Sequence, residues 1–571
     1  MSLLDDASLV VIPSGYKAGT VYSVKPTNGD GDLTFSRASD ATRVNSLGLV
    51  EKVRTNVLLQ SNAFSTSPWV NGGSTTITSG QTDPNGGSNA FKIEFGATNS
   101  YLGQFNGGLT GSVTISAYFR ADSSTTIGFN DGSTFPNSIT IGTTWQRYSF
   151  TYVVSGSQCN IEIDNYFGVS PISQAKTFYI YGAQLEASDF GPTDYIPTTS
   201  AAVSVGMTAN VPRLDYTGGG CPKLILEPQR TNLALYSEQL DNAAWIKNNS
   251  TVTANQGISP DGYTNADLFY INSAGDVSSR RIIQVISVSN ATTYTASVFV
   301  KSSSARWIWF PAPDASSVNH NAWFDLENGV VGTVGSSVID TSIVSYGNGW
   351  YRCSVTSLST STTNYVLFSP VTADGSTTTL TGSSNGFLTY GGQLEAGSYP
   401  TSYIPTLGAS VTRLADAAVK TSASALINSE EGVAFVDITI NGLFDFGTPL
   451  SLTDGTLNNY IWFTIFGNGD LRVEFYKLGV VQASLTYNGA TVGNRYKMAF
   501  AYATNDFALY VNGTQIGTDN SGTTFSANTL TRIDTYLTNA ATFSASAYKH
   551  NQLLLFPTRL SNTELASLTT L

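Results

Sequence analysis

The sequence predicts an all-β chain: tandem jelly-roll or β-sandwich domains, closed by one short C-terminal helix. Three observations predict it. A long frame of residues occurs twice. Short runs alternate apolar and polar residues, with Gly, Ser, Asn and Asp clusters between them. No convincing amphipathic helical pattern interrupts the strands of the first copy of the frame.

The first copy opens with Glu51, Arg54-Thr55-Asn56 and Trp69, and closes with Gln184-Leu185-Glu186 and Tyr195-Ile196-Pro197-Thr198. The second opens with Glu227, Arg230-Thr231-Asn232 and Trp245, and closes with Gln393-Leu394-Glu395 and Tyr403-Ile404-Pro405-Thr406. The opening residues lie 176 positions apart and the closing ones 208 to 209, so the second copy is the longer. Arg37 maps to Arg213 at the opening offset, so the lead-in is duplicated too. Ordered matches at both ends of a long segment mark repeated whole domains, not a short-period solenoid.

Composition narrows the function classes. The chain has 571 residues, enough for roughly three to four domains. Charged residues make up only 12%, and Ser, Thr, Asn and Gly fill the gap, as on stable β-rich surfaces. An aromatic share of 12% argues against disorder. Net charge is −12 with no basic run, which sets a nucleic-acid groove aside. No apolar stretch is long enough to insert as a membrane span. The acidic start, Met1-Ser2-Leu3-Leu4-Asp5-Asp6, lacks the basic and apolar regions of a signal peptide, so synthesis in a cytosol is expected, with retention there or release by lysis. Cys159, Cys221 and Cys353 are odd in number, widely scattered and without metal-ligand spacing, so reduced thiols are expected.

Taken in order, residues 1–50 form a lead-in. Leu9-Val10-Val11-Ile12 reads as a strand stopped by Pro13, and Tyr16 to Val24 as another. Asn28-Gly29-Asp30-Gly31-Asp32 alternates oxygen ligands as a calcium loop would, but Leu33 and Ser39 occupy places an EF-hand gives to Gly and Glu; a tight turn fits better. Domain one spans 51–205. In it, Ile115, Ala117 and Phe119 alternate with Thr114, Ser116 and Tyr118, a half-buried strand. Domain two spans 206–412. Its strand 293–301 matches 112–120, but Trp350-Tyr351-Arg352 matches Trp145-Gln146-Arg147 at a larger offset. The extra residues therefore fall in 302–345, as an added hairpin or decorated loop. Domain three spans 413–571. It alternates through Leu471-Val473-Phe475, Tyr496 to Tyr502 and Phe507 to Val511, with Asn512-Gly513 as a hairpin turn. Ser561-Asn562-Thr563-Glu564 is a capping box with Leu560 and Leu565 as a staple, which predicts the helix.

Catalytic sets are missing from the pattern. His320 and His550 stand apart, with no nucleophile elbow near either. Glu162-Ile163-Asp164 begins a three-carboxylate glycosidase pattern, but Phe167 fills its last position. Glu186 and Glu395 recur at equivalent places. Each is read either as a ligand or calcium contact, or as an anchor that fixes the end of the sheet to backbone amides or to Arg54 and Arg230. Asn56 and Asn232 belong to the same repeated motif. For sugar binding, Trp307, Trp309 and Trp323 are the candidates. Trp307 and Trp309 share a strand face and could stack on a pyranose, or they could pack in the core.

The quoted motifs resemble a known group. Glu227-Pro228-Gln229-Arg230-Thr231-Asn232-Leu233 with Tyr236-Ser237-Glu238 and Trp245, then Gly347-Asn348-Gly349-Trp350-Tyr351-Arg352-Cys353, then Gly392 to Gly397 and Tyr403 to Thr406, resemble tail-fibre and other virion surface proteins of tailed bacteriophages. So do Leu3 to Leu9 and Thr34 to Ser39. The resemblance implies jelly rolls like carbohydrate-binding modules. Arg495 to Phe500, Leu509 to Gly513 and Leu560 to Leu565 resemble laminin-G or concanavalin-A-like modules. The expectation is a non-enzymatic virion structural protein, a capsid decoration, head fibre or tail fibre, located on the virion surface and made in the host cytoplasm. Its partners would be other virion proteins through the N-terminal segment and cell-surface or mucus glycans, with a homo-oligomer as one arrangement. No cofactor is implied beyond the calcium option. A secreted adhesin and a depolymerising tailspike are the alternatives.

Overall fold

In the first copy of the frame, side chains from two facing sheets meet in one apolar layer. Val113, Ile115, Ala117 and Phe119 pack with Ile161, Ile163 and Phe129. The structure is a computed structural model that describes residues 3–132, 134–154, 158–314, 318–443, 446–536 and 548–571. The chain forms two units, Val53–Gly206 and Met1–Lys52 with Met207–Leu571. Strand dominates both, in tandem antiparallel sandwiches.

Val53–Gly206 is a sandwich of two five-stranded sheets. One sheet runs Gln146–Val153, Ser112–Arg120, Lys176–Ala187, Ala90–Phe95, Thr75–Gln81. The other runs Ser138–Ile141, Thr125–Asn130, Gln158–Asp164, Tyr101–Gly107, Val70–Gly72. The strand Ser112–Arg120 was expected to be half-buried, yet Thr114 and Ser116 are buried as well. The closing segment folds over them: Thr114 Oγ1 donates to the Ser188 carbonyl (3.2 Å), and Arg147 Nη2 donates to Ser116 Oγ (2.9 Å).

The second copy repeats this plan with six strands in each sheet. The residues added between 302 and 345 do not form one hairpin on one sheet. They supply Val330–Val334 to the edge of the sheet that holds Trp307–Trp309, and Asp340–Ser345 to the edge of the other.

The C-terminal sandwich draws strands from three parts of the chain. Its nine-stranded sheet takes Tyr16–Lys17, Thr20–Val21 and Leu33–Ser36 from the lead-in. Its eight-stranded sheet takes Leu9–Val11, Arg213–Asp215 and Lys223–Leu226. Leu9, Leu33, Phe35, Leu214 and Leu226 share one core with Val436, Phe463 and Phe500. The lead-in lies outside the repeats in sequence but is built into this sandwich in space. The turn at Asn28–Asp32 forms, with the Asp32 amide donating to the Gly29 carbonyl (3.1 Å). Helix Asn562–Thr569 starts on the expected capping box: the Glu564 amide donates to Ser561 Oγ (3.3 Å) and the Ser561 amide to Glu564 Oε2 (2.7 Å). Leu560 and Leu565 are buried with Phe435 and Tyr510. One further turn of helix, Leu3–Asp6, was not expected.

A buried ion cluster joins the lead-in, the second copy and this sandwich. Arg213 donates to Glu227 (2.8 Å) and to Asp416, Arg413 donates to Glu227 (2.6 Å), and Arg37 donates to Asp416 (3.1 Å). The first copy has no equivalent of Arg413. Val205 stands in its place, opposite Arg54 as Arg413 stands opposite Arg230.

Candidate functional site

The two modules use the outer face of equivalent sheets differently. Gln104 and Gln284 fix the equivalence: each bonds both backbone groups of the residue that follows the opening Asn by three, Leu59 and Leu235. One residue before Gln104 lies Gly103, opposite Glu162; one residue before Gln284 lies Ile283, opposite Leu367. The first module thus puts a carboxylate where the second puts a leucine.

In the second module this face is closed. Trp309 and Trp323 sit opposite each other and are each 5% exposed, packed with Val277, Ile283, Leu367 and Val371. Both indole N–H groups are satisfied within the protein: Trp309 Nε1 donates to Asn321 Oδ1 (3.0 Å), and Trp323 Nε1 to the Ser376 carbonyl (2.7 Å). The segment 372–380 lies over them, tied by bridges from Val371 to Thr379 and from Asp276 to Thr378. Neither ring offers an open face for a sugar. Trp307 is half-buried, with Arg306 5.5 Å from its ring centre. The candidate set Trp307, Trp309 and Trp323 is therefore corrected by burial: two of the three are packing residues. Trp69 and Trp245 are core residues in both modules.

In the first module the face is polar and carries an open ring. Strand Gln158–Asp164 turns Cys159, Ile161 and Ile163 into the core and Asn160, Glu162 and Asp164 outward, by the two-residue period of a strand. Phe105 stands opposite Asn160 and is 44% exposed. Gly103 leaves the room its ring occupies: a Cβ there would come within 3.1 Å of Phe105 Cζ. Tyr101 meets Phe105 edge to face, with ring centres 6.4 Å apart. Gly132 takes a left-handed φ of 81°, and a Cβ on it would lie 2.7 Å from Glu162 Oε2, so glycine is required beside the carboxyl.

Hydrogen bonding separates the polar groups. Asp164 is fully buried and accepts three bonds, from Asn130 Nδ2 (2.8 Å) and the amides of Tyr166 (2.8 Å) and Phe167 (2.7 Å). Among the described residues, Glu162 accepts only from the Tyr166 hydroxyl (2.8 Å), at Oε1. Burial pushes the Glu162 carboxyl up to about 7, with Asp164 and Asp131 adding to the rise. Asn160 Nδ2 donates to the Asp131 carbonyl (3.2 Å), while its buried Oδ1 has no partner among the described residues. The face thus combines an open aromatic ring with a carboxyl and an amide that retain hydrogen-bonding capacity but are themselves buried, Glu162 at 3% and Asn160 at 5% exposed. The E-x-D alternation of strand 158–164 was visible in sequence. Phe105, Tyr166, Gly103 and Gly132 were not, because they reach the site from other strands and loops.

The repeated polar residues lie elsewhere. Glu186 accepts from Gln184 Nε2 (2.6 Å), the Thr193 amide (2.8 Å) and the Thr193 hydroxyl (2.5 Å). Glu395 accepts from Gln393 (2.6 Å) and from the Thr401 amide (2.9 Å) and hydroxyl (2.6 Å). Arg230 lies 3.9 Å from Glu395, beyond hydrogen-bond length, and its guanidinium sits 5.6 Å from the Tyr399 ring centre. Arg54 lies over Phe190 at 5.5 Å. These carboxylates are thus held mainly by the threonine of their own closing segment. Among the described residues, no group of three or more His, Cys, Asp or Glu side chains is placed to hold a metal ion.

No protein-family model matches the chain, and no curated protein sequence does. Solved structures that it resembles include the carbohydrate-binding module CBM40 of a Ruminococcus gnavus sialidase bound to α2,3-sialyllactose, at 16% identity, with 25% of this chain, 84% of that chain and a TM-score of 0.23. The NanB sialidase of Streptococcus pneumoniae is similar at 12% identity over 25% of this chain and 24% of that chain, with a TM-score of 0.23. The receptor-binding domain of a botulinum neurotoxin of mosaic serotype C/D is similar at 11% identity over 27% of this chain and 39% of that chain, again with a TM-score of 0.23.

Proposed function

We propose that the chain is a glycan-binding surface protein of a bacteriophage virion, a capsid decoration, head fibre or tail fibre, that attaches to host or environmental glycans through the outer face of its first module. The observation that carries the glycan reading is the exposed Phe105 ring beside Glu162 and Asn160. A pyranose stacks its apolar face on such a ring, and the buried Glu162 and Asn160 beside it set the polar surroundings of the contact. One shallow face of this kind binds weakly, and many copies on one particle convert weak contacts into firm attachment. The virion reading rests on the sequence motifs that resemble phage surface proteins. Because the lead-in is woven into the C-terminal sandwich, the mounting surface is assigned to that sandwich and not to a free arm. Immunogold electron microscopy of phage particles with antibody to the C-terminal sandwich tests this. Label on capsids or tails is expected; protein found only free or on cells would overturn the virion reading and favour a secreted adhesin.

One observation favours a second reading, glycan cleavage. A carboxyl raised to about 7 suits a general acid. Against it, the neighbouring Asp164 is occupied by three donors and is not free to act as the second carboxylate. Release of reducing ends from a host polysaccharide, abolished by Glu162→Gln, would establish cleavage over simple binding.

A further inference from the structure

The outer face of the eight-stranded sheet holds a pocket of 380 Å³, large enough for a small organic ligand. Its origin is a gap in the sheet. Two separate strands share one edge of Tyr548–Phe556: Lys223–Leu226 pairs with residues 548–550, and Leu9–Val11 with residues 553–555. Neither covers Asn551 and Gln552. On the opposite edge the register slips at the same place, since Asp437 pairs with Gln552 and Ile438 with His550. Asn551 is the extra residue of this bulge. Its Nδ2 donates to Asp437 Oδ1 (3.1 Å) and to Thr439 Oγ1 (3.3 Å).

Charge in the pocket does not balance. Arg495 clamps Asp437 through two bonds, one of them from Nε to Oδ1 at 2.7 Å, so that pair is neutral. Lys223 also lines the pocket, and its ammonium makes no hydrogen bond or ion pair with any described residue. Burial, with Lys549 and Arg495 nearby, holds its pKa below the usual lysine value against the opposing pull of Asp215 and Asp437, and an anion bonded to the ammonium would offset that burial. In a chain of net charge −12 this is a local positive site.

We propose that this pocket is a second ligand site, taking a small organic carboxylate that also carries hydroxyl groups. Lys223 receives the carboxylate, Asn551 Oδ1, the Gln552 amide and the uncovered strand edge receive the hydroxyls, and Ile12 and Pro222 give the apolar wall. A single free cation favours a monoanion over a dianion such as phosphate. The volume leaves space beyond the carboxylate that hydroxylated carbons fill.

The chain carries its own reporter. Cys221 lines this pocket and is exposed, whereas Cys159 and Cys353 are buried. Alkylation of Cys221 in the intact chain, followed by mass spectrometry, therefore reads the pocket's occupancy. D-glucuronate is expected to slow alkylation by iodoacetamide several-fold and saturably, D-glucose to leave the rate unchanged, and Lys223→Gln to abolish the protection. Independently of the chosen sugar acid, the rate ratio of iodoacetate to iodoacetamide is expected to fall in Lys223→Gln. Equal protection by glucose and glucuronate, no protection by either, or an unchanged rate ratio in the variant would overturn the proposal.

Discussion

Asn56 and Asn232 make the same four hydrogen bonds in their two modules. Asn56 Nδ2 donates to the carbonyls of Ala183 (3.1 Å) and Ile196 (2.8 Å), and its Oδ1 accepts from the amides of Leu58 and Leu185 (3.1 Å each). Asn232 does so with Gly392 (3.2 Å), Ile404 (2.8 Å), Ala234 (3.0 Å) and Leu394 (3.1 Å). One buried amide thus stitches the opening strand, the closing strand and the Tyr-Ile-Pro-Thr tail. Arg147 and Arg352 repeat the pattern, donating to the Thr193 carbonyl (2.5 Å) and the Thr401 carbonyl (2.6 Å). The recurring motifs are a polar latch for each sandwich. Asn56→Ala leaves four buried backbone groups without partners, each costing about 1–3 kcal/mol. Chemical denaturation is expected to show a loss of about 3 kcal/mol or more, confined to the unfolding of residues 53–206, and Asn232→Ala a similar loss in the other unit.

The two units are expected to respond to pH in opposite directions. Glu162 has its folded pKa raised to about 7 from 4.5 by burial. Its contribution is fully present below pH 4.5 and is lost as pH rises towards 7, because the unfolded chain releases the proton first. The loss is on the order of 3 kcal/mol. His550 is buried and neutral, with its pKa lowered from 6.5 to about 3. Its contribution is fully present above pH 6.5 and is lost as pH falls through that window. Scanning calorimetry between pH 4.5 and 6.5 is expected to show one transition falling and the other rising as pH increases. Glu162→Gln should flatten the first and leave the second.

Glu227 holds two buried guanidiniums, Arg213 and Arg413, and its carboxyl is kept well below the usual range against the burial that would raise it. Glu227→Gln leaves Arg413 without its ion-pair partner and Arg213 and Arg37 sharing Asp416. The expected cost is about 3–5 kcal/mol in the larger unit, read by urea denaturation. Arg54→Ala, at a partly exposed position in the first module, is expected to cost much less.

Trp323 fills the closed face of the second module, and its truncation to Ala is expected to cost about 3–5 kcal/mol without lowering glycan binding. A thermal melt alongside a binding isotherm separates the two effects.

The legible part of this fold was local. Duplicated motifs, period-two strands such as 112–120 and the capping box at Ser561 could all be read within a few residues. The illegible part was non-local. Nothing near Leu9-Val10-Val11 in the sequence says that it pairs with residues 553–555. The added residues of the second module were found by offset, but their division between two sheets depends on both sheet edges being free. At the candidate site, Glu162 and Asp164 drew notice as the start of a catalytic pattern. Their separate fates follow from their neighbours: Asn130 and the amides of Tyr166 and Phe167 occupy Asp164, and Gly132 leaves room at Glu162. The tryptophans misled because alternation places Trp309 on the sheet's outer face, and only the segment 372–380 shows that face to be covered.

The most direct measurement is a glycan array probed with the intact chain and with its Phe105→Ala variant, both confirmed to be folded by their melting curves. Phe105 is 44% exposed and lies on the outer face of its sheet, away from the core, so its loss should leave the sandwich intact. The account predicts binding by the intact chain and an affinity lower by roughly tenfold or more in the variant, a difference of about 1.4 kcal/mol. Binding of equal strength by both proteins, or no glycan bound by either, would contradict it.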